Sequence, residues 1–269
     1  IQQRFNFRRL HEDVARRWSI SFDSSVGMRS GAMSSPNNGI GGAAPGHAYR
    51  SYAQLEAEYR IGRNLVLDGD VLSAYSRVFA DTGGSTVMMP VKNPMSGTGV
   101  RWKPLRETVF FLAVEQQFPL DRPHGESDTL LRASASFFNS GAYSDEWHPN
   151  GPGWLAQNLY LDAAHYVRQD VQAWTADYRV SRHQKVAQGQ TVEPYVHLQQ
   201  NGYRDGSSQG VLVGGVGVRW NLWLGETHYD AWPHKVSLGV EYQRSIKTFN
   251  RPASADERNN AFLTVGVHW

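Results

Sequence analysis

Few residues in this chain stand at spacings that chemistry demands. Asp68-Gly-Asp70 places two carboxylates two positions apart. On a loop that pair can hold Ca²⁺; on a strand both carboxylates simply share the polar face. Asp145-Glu-Trp-His-Pro-Asn150 mixes acid, imidazole and indole, which suits a sugar, a metal or an ordinary structured loop. Gly214-Gly-Val-Gly217 is no phosphate cradle, because no helix follows it; strand curvature or clearance inside a lumen accounts for it better. His, Ser and Asp occur without a nucleophile elbow. No His-Glu-x-x-His or other paired-ligand motif occurs, so no catalytic residue, metal site or cofactor is expected.

The elements that would position any site are strands. Leu131, Ala133, Ala135 and Phe137 alternate with Arg132, Ser134 and Ser136. Val192, Pro194, Val196 and Leu198 oppose Glu193, Tyr195, His197 and Gln199. Leu212 to Leu222 and Val236 to Tyr242 repeat the pattern. A period of two with one greasy and one polar face marks strands. The pattern predicts about twelve, near 14–30, 49–61, 64–79, 95–103, 108–118, 129–138, 155–168, 171–186, 192–202, 210–223, 235–248 and 260–269. Fourteen or sixteen fit if long connections hide short strands. An even count suits a closed antiparallel barrel.

Composition restricts where such a barrel sits. Charge is nearly balanced, 27 Lys plus Arg against 25 Asp plus Glu, with no basic stripe for nucleic acid. Mean hydropathy is −0.51, a value a membrane barrel tolerates because only alternate residues face lipid. No apolar run reaches the roughly 20 residues of a membrane helix. Closed barrels are the other way to pair every backbone group in lipid. There is no Cys, hence no disulfide framework. The expected fold is all-β: a transmembrane antiparallel outer-membrane barrel over 14–269 with a short N-terminal helix, located in the bacterial outer membrane.

Alternation assigns residues to faces. Glu56, Glu58, Asp68, Asp70, Arg101, Glu115, Arg132, Asp162, Asp177, Arg179, Glu193, Arg219 and Glu241 are expected to line the lumen. Trp102, Trp220, Tyr242 and Trp269 are expected to anchor the outer face in lipid, with Trp18, Trp154 and Trp174 also near strand ends. Leu263, Val265, Val267 and Trp269 alternate to the final residue, as in the last strand of outer-membrane barrels, whose terminal aromatic is read by the assembly machinery.

Segments 31–48 and 81–94 are rich in turn formers and become large extracellular loops if the N-terminus is periplasmic. Asn37, Asn38, Pro45, His47, Asp81, Thr82 and Lys92 are their candidate contact residues, with 203–209 and 249–258 next. Segments 61–64 and 104–107 are then short periplasmic turns. Connections 139–154 and 224–234 fall on the same side yet are long: they dock on another domain, or a strand pair is hidden in them. Residues 1–13 read as a helical linker, with Phe7, Leu10 and Val14 at helical spacing. That helix either lies on the periplasmic rim or enters the lumen. The opening residue is Ile1, with no signal peptide, which points to a cleaved leader or a piece of a longer protein.

Arg4-Phe-Asn-Phe-Arg-Arg-Leu-His-Glu12, Tyr52 to Gly62, Arg101-Trp-Lys-Pro-Leu-Arg106, Leu131 to Ser136, Asn158 to Ala164 and Thr227-His-Tyr-Asp-Ala-Trp-Pro233 resemble, in order, the C-terminal domain of the bacteriophage N-four adsorption protein A family. The resemblance implies an outer-membrane phage receptor, porin-like in fold, that binds a phage tail protein. It also implies a periplasmic repeat region upstream of Ile1, and a conduit for exopolysaccharide made by an inner-membrane glycosyltransferase system, hence a role in biofilm. It carries no catalytic residues. The competing reading is an outer-membrane enzyme acting on lipid or lipopolysaccharide.

Overall fold

The computed structural model describes residues 2–27, 51–81, 92–106, 108–121, 126–250 and 259–269. A helix, α1 (Gln2–Ala15), precedes twelve strands: β1 (Trp18–Gly27), β2 (Ser51–Arg63), β3 (Val71–Asp81), β4 (Lys92–Lys103), β5 (Val109–Pro119), β6 (Asp128–Phe137), β7 (Gly153–Tyr166), β8 (Val171–Ala187), β9 (Gln190–Asp205), β10 (Ser207–Leu224), β11 (His234–Phe249) and β12 (Asn259–His268). Each strand pairs antiparallel with its sequence neighbour, and β1 pairs with β12 to close the barrel. At the seam Ile20 and Trp269 exchange backbone hydrogen bonds of 2.9 and 2.8 Å. The terminal Trp ring also stacks on His234, with centroids 3.9 Å apart. Closure leaves no strand edge, the condition for crossing lipid.

Burial runs opposite to that of a water-soluble barrel. Leu55, Val196 and Val240 are 51%, 55% and 53% exposed on the outside, while Glu115 and Glu193 are 1% exposed within. Removing a Val or Leu from water gains about 1.5–3 kcal/mol, so this outer face is stable only against hydrocarbon. The chain is a barrel of the bacterial outer membrane. Trp18 packs at a tilt on Tyr59, with centroids 4.8 Å apart, on the outer face, and Trp220 and Tyr242 also point outward.

Three expectations need correction. The first strand starts at Trp18, not residue 14, because α1 continues to Ala15. Residues 64–70 are not strand: Asn64 and Gly69 take positive φ of 55° and 81°, which reverses the chain there. Trp154 faces inward, sharing the parity of Asp162 on β7, and is buried. Connection 138–152 holds only a single 3₁₀ turn, Gly141–Tyr143, among its described residues, so no strand pair hides there.

Glycines on β10 give way to bulk on β9. A Cβ on Gly217 would lie 2.4 Å from the Tyr195 ring, and one on Gly215 would lie 2.0 Å from His197 Nε2. Gly214 points outward and meets only the tip of Ile246, at 3.2 Å. Gly217→Ala is therefore expected to destabilise the barrel by about 1–3 kcal/mol through overpacking. Gly214→Ala is expected to cost less than about 1 kcal/mol. The temperature at which heat-modifiable gel migration is lost reports both; equal shifts would contradict the assigned faces.

Candidate functional site: a polar lumen closed at one mouth

The inward face is a set of matched charges. A buried lone carboxylate costs several kcal/mol, so each acid inside needs a partner. Arg77 meets Glu115 at 2.7 Å, and the Tyr75 hydroxyl donates to the same carboxylate at 2.8 Å. Arg101 from β4 reaches across to Glu56 and Glu58 on β2. Arg132 grips Asp162 through Nε and Nη2, with the Tyr160 hydroxyl closing the triangle. On the far wall His197 sits between Asp177 at 2.8 Å and Glu241 at 2.7 Å. Tyr195 donates to Glu241 and lies under both Arg179 and Arg219, whose guanidinium carbons are 4.9 and 4.6 Å from its ring. These groups surround a polar cavity of about 420 Å³ lined by Arg77, Arg132, Arg179, Arg219, Asp145 and Glu193, among others.

Asp68 and Asp70 stand apart from this set. Both lie in turn 64–70, with Asp68 exposed to solvent. Asp70 accepts from the amides of Leu65, Val66 and Leu67 and from the Trp102 indole at 2.9 Å. Burial opposes its ionisation, but the indole and the three amides win and hold its pKa down at about 2. The first Asp-x-Asp motif is thus a turn cap rather than a Ca²⁺ site, and Trp102 is pinned to the rim by it.

An aromatic cluster gathers at the helix end of the barrel. Connections 138–152 and 225–233, the two long ones on this side, fold together over the mouth. Trp147 is buried against Trp154 (6.0 Å), Trp223 (6.2 Å) and Trp232 (5.3 Å). Lys185 lies over the Trp147 and Trp154 rings, and Lys235 over Trp223. Helix α1 seals the cluster with Phe5. Its polar residues tie both connections: Arg8 to Glu226, Arg9 to Glu146, and the Glu12 carboxylate to the Ala231 amide. The packing face is therefore Phe5, Arg9 and Glu12. Phe7, Leu10 and Val14 are exposed. α1 lies on the rim and plugs through its partners.

Asp145, in the Asp145–Asn150 segment, points from the plug into the lumen wall. Its carboxylate meets His183 Nε2 at 2.8 Å and Lys235 Nζ at 3.0 Å. Burial would raise its pKa, but Lys235 and His183 outweigh it and hold Asp145 ionised. His183 stacks on Trp154, which stacks on His148, so one aromatic column carries plug and wall together. Burial depresses His148, and the neighbouring His183, Lys185 and Arg9 lower it further. Thr191 is 3.3 Å from the other His183 nitrogen, an Asp-His-Thr line that resembles nucleophile chemistry. The Thr191 hydroxyl is fully buried, with Asn221 and Trp223 also directed at it, so no substrate reaches it.

Of the residues expected in the lumen, Glu56, Glu58, Arg101, Glu115, Arg132, Asp162, Asp177, Arg179, Glu193, Arg219 and Glu241 lie on strands; Asp23 and Asp128 were not among them. Alternation missed Arg77, His183 and His197 as site residues, and it missed the four-Trp plug. Of the residues expected to meet phage, Asn37, Asn38, Pro45, His47 and Thr82 lie outside the described residues. Asp81 and Lys92 end β3 and β4 and pair with each other, so the connection between those strands is shorter than 81–94.

Residues 86–259 match the family model described as bacteriophage N adsorption protein A C-term. The chain belongs to this family. It is 75% identical over 268 residues to the bacteriophage adsorption protein A of Escherichia coli (strain K12), which covers all of this chain but only 27% of that protein. The chain thus spans about a quarter of that relative's length. Among solved structures it is similar in fold to LpxR from Salmonella typhimurium, at 10% identity and TM-score 0.47, covering 93% of this chain and 99% of that one. KdgM porin follows at 10% identity and TM-score 0.37, covering 93% and 98%.

The Asp70 cap has a pH signature. Its folded pKa lies below the roughly 3.9 of a free Asp, so its stabilisation is present above about pH 4 and is lost as pH falls toward 2. Trp102 fluorescence, with the other tryptophans as background, should change across that window in wild type and not in Asp70→Asn. An identical acid transition in both proteins would refute the cap.

Proposed function

We propose that this barrel is a phage adsorption receptor, and that it is the outer-membrane exit of an exopolysaccharide export system. The receptor reading rests on the 75% identity to a relative named for phage adsorption, joined to a closed barrel whose plugged end is fixed. A plug at the helix end supports placing that end in the periplasm. Residues 28–50 and 82–91 then connect strand ends on the cell surface, where a phage tail protein can reach them. Trp102, Trp220 and Trp269 anchor the outer face in lipid near strand ends, as amphipathic aromatics do, and Tyr242 faces lipid from the middle of β11.

Export is the second role, and the lumen supports it. A glycan passes along walls rich in hydrogen-bonding groups without strong, unmatched charges that would trap it. Here Glu56, Glu58, Glu115 and Asp162 are paired with Arg, and Asp177 and Glu241 flank His197. Passage requires the plug of Trp147, Trp154, Trp223 and Trp232 to swing aside. An upstream periplasmic repeat region, coupled to an inner-membrane glycosyltransferase system, is the natural source of that movement. The role is transport and recognition rather than catalysis.

Replacing residues 31–48 or 83–90 with a short Gly-Ser linker is expected to abolish phage adsorption while heat-modifiable migration stays intact. Surface polysaccharide output should not change, because plug and lumen are untouched. Normal adsorption by both variants would overturn the receptor assignment of these connections.

A further inference from the structure

The three side chains Asp145, His183 and Glu193 come from the plug, β8 and β9 and offer ligand atoms that all lie within 4.8 Å of one another. Asp145 Oδ1 is 2.8 Å from His183 Nε2, and Glu193 Oε1 is 3.8 Å from the same nitrogen. Around a tetrahedral Zn²⁺, with bonds of about 2.0–2.1 Å, ligand atoms sit about 3.3 Å apart. The Asp145–His183 and His183–Glu193 distances bracket that spacing, and the Asp145–Glu193 separation stays within 4.8 Å.

The remaining atom of each candidate ligand is already engaged. His183 Nδ1 faces the Thr191 hydroxyl at 3.3 Å, Glu193 Oε2 accepts from Asn221 at 2.8 Å, and Asp145 Oδ2 accepts from Lys235 at 3.0 Å. Metal-ligating imidazoles and carboxylates are held in this way, through their other atom. Trp154 fixes the His183 ring plane from one side, with centroids 4.4 Å apart. His183 and Glu193 are almost fully buried, and Asp145 and Glu193 both line the 420 Å³ cavity, so the cluster borders the lumen. One imidazole with two carboxylates selects a divalent transition ion over Mg²⁺ or Ca²⁺, which prefer all-oxygen shells.

We propose that Asp145, His183 and Glu193 form a divalent transition-metal site, with Zn²⁺ the best-fitting ion, that pins the periplasmic plug to the barrel wall. The ion would add a bond set between connection 138–152 and strands β8 and β9, so the plug would open less readily when it is bound. Lys235 places an ammonium beside Asp145 and Arg219 lies near Glu193, so the site starts without excess negative charge. Removing the ammonium therefore strengthens metal binding, an outcome specific to an ion at this position.

The test is titration of the untagged folded barrel in detergent with Co²⁺, followed by Zn²⁺ competition in a calorimeter. With no Cys in the chain, Co²⁺ absorption bands report nitrogen and oxygen ligands alone. One equivalent of Co²⁺ should give tetrahedral bands, displaced by Zn²⁺. Asp145→Asn and Glu193→Gln should each weaken binding more than about tenfold, and Lys235→Gln should tighten it several-fold. Asp145 sits on a connection, so its variant keeps the test alive if a wall substitution prevents folding; heat-modifiable migration certifies each protein. Absence of saturable Co²⁺ binding, or binding that persists unchanged in both carboxylate variants, would overturn the site.

Discussion

Lipid leaves a backbone no partner but itself, and that constraint organises everything else in this molecule. It forces β1 onto β12, and it makes Trp269 part of the seam rather than a frayed end. It also turns the sheet inside out relative to a soluble barrel, with apolar residues outside and charges within. Once charges are inside, each must find a partner, and the Arg–carboxylate and His–carboxylate sets of the wall follow. Bulky partners such as Tyr195 and His197 then need room, which the glycines of β10 supply. One solvent thus explains closure, burial and glycine placement together.

The mouth obeys a different rule. At the helix end water and protein meet, so an apolar plug is stable there in the ordinary way. Four indoles share a cluster with Phe5, and truncating one buried Trp in such a cluster costs about 3–5 kcal/mol. Around that apolar centre run ion pairs from α1 to both long connections. The lumen behind it is hydrated in character and charge-matched. The apolar cluster at the mouth thus borders a polar bore.

The fold was legible in the sequence because a period of two runs through strands such as β6, β9, β10 and β11, and the Leu263–Trp269 alternation marks the closing one. The errors fell at strand ends: the start of β3, and Trp154 at the start of β7. Starting β3 at residue 64 instead of 71 drew attention to Asp68 and Asp70 and away from Arg77, whose wall partner Glu115 lies 38 positions on. In α1 two stripes have helical spacing, Phe7-Leu10-Val14 and Phe5-Arg9-Glu12, and period alone cannot choose between them. The choice is made by the tryptophans, which are distant in sequence. Asp145, His183 and Glu193 are likewise joined only by the barrel's curvature, and no local motif announces them.

The export reading turns on a helix end that is shut. Single-channel recording in planar bilayers tests it most directly, comparing the wild-type barrel with one lacking residues 2–15. The wild type should be silent or nearly so, and the truncated barrel should show discrete, flickering conductance steps as the unsupported plug moves. Steady, porin-sized openings in the wild-type protein would contradict the claim.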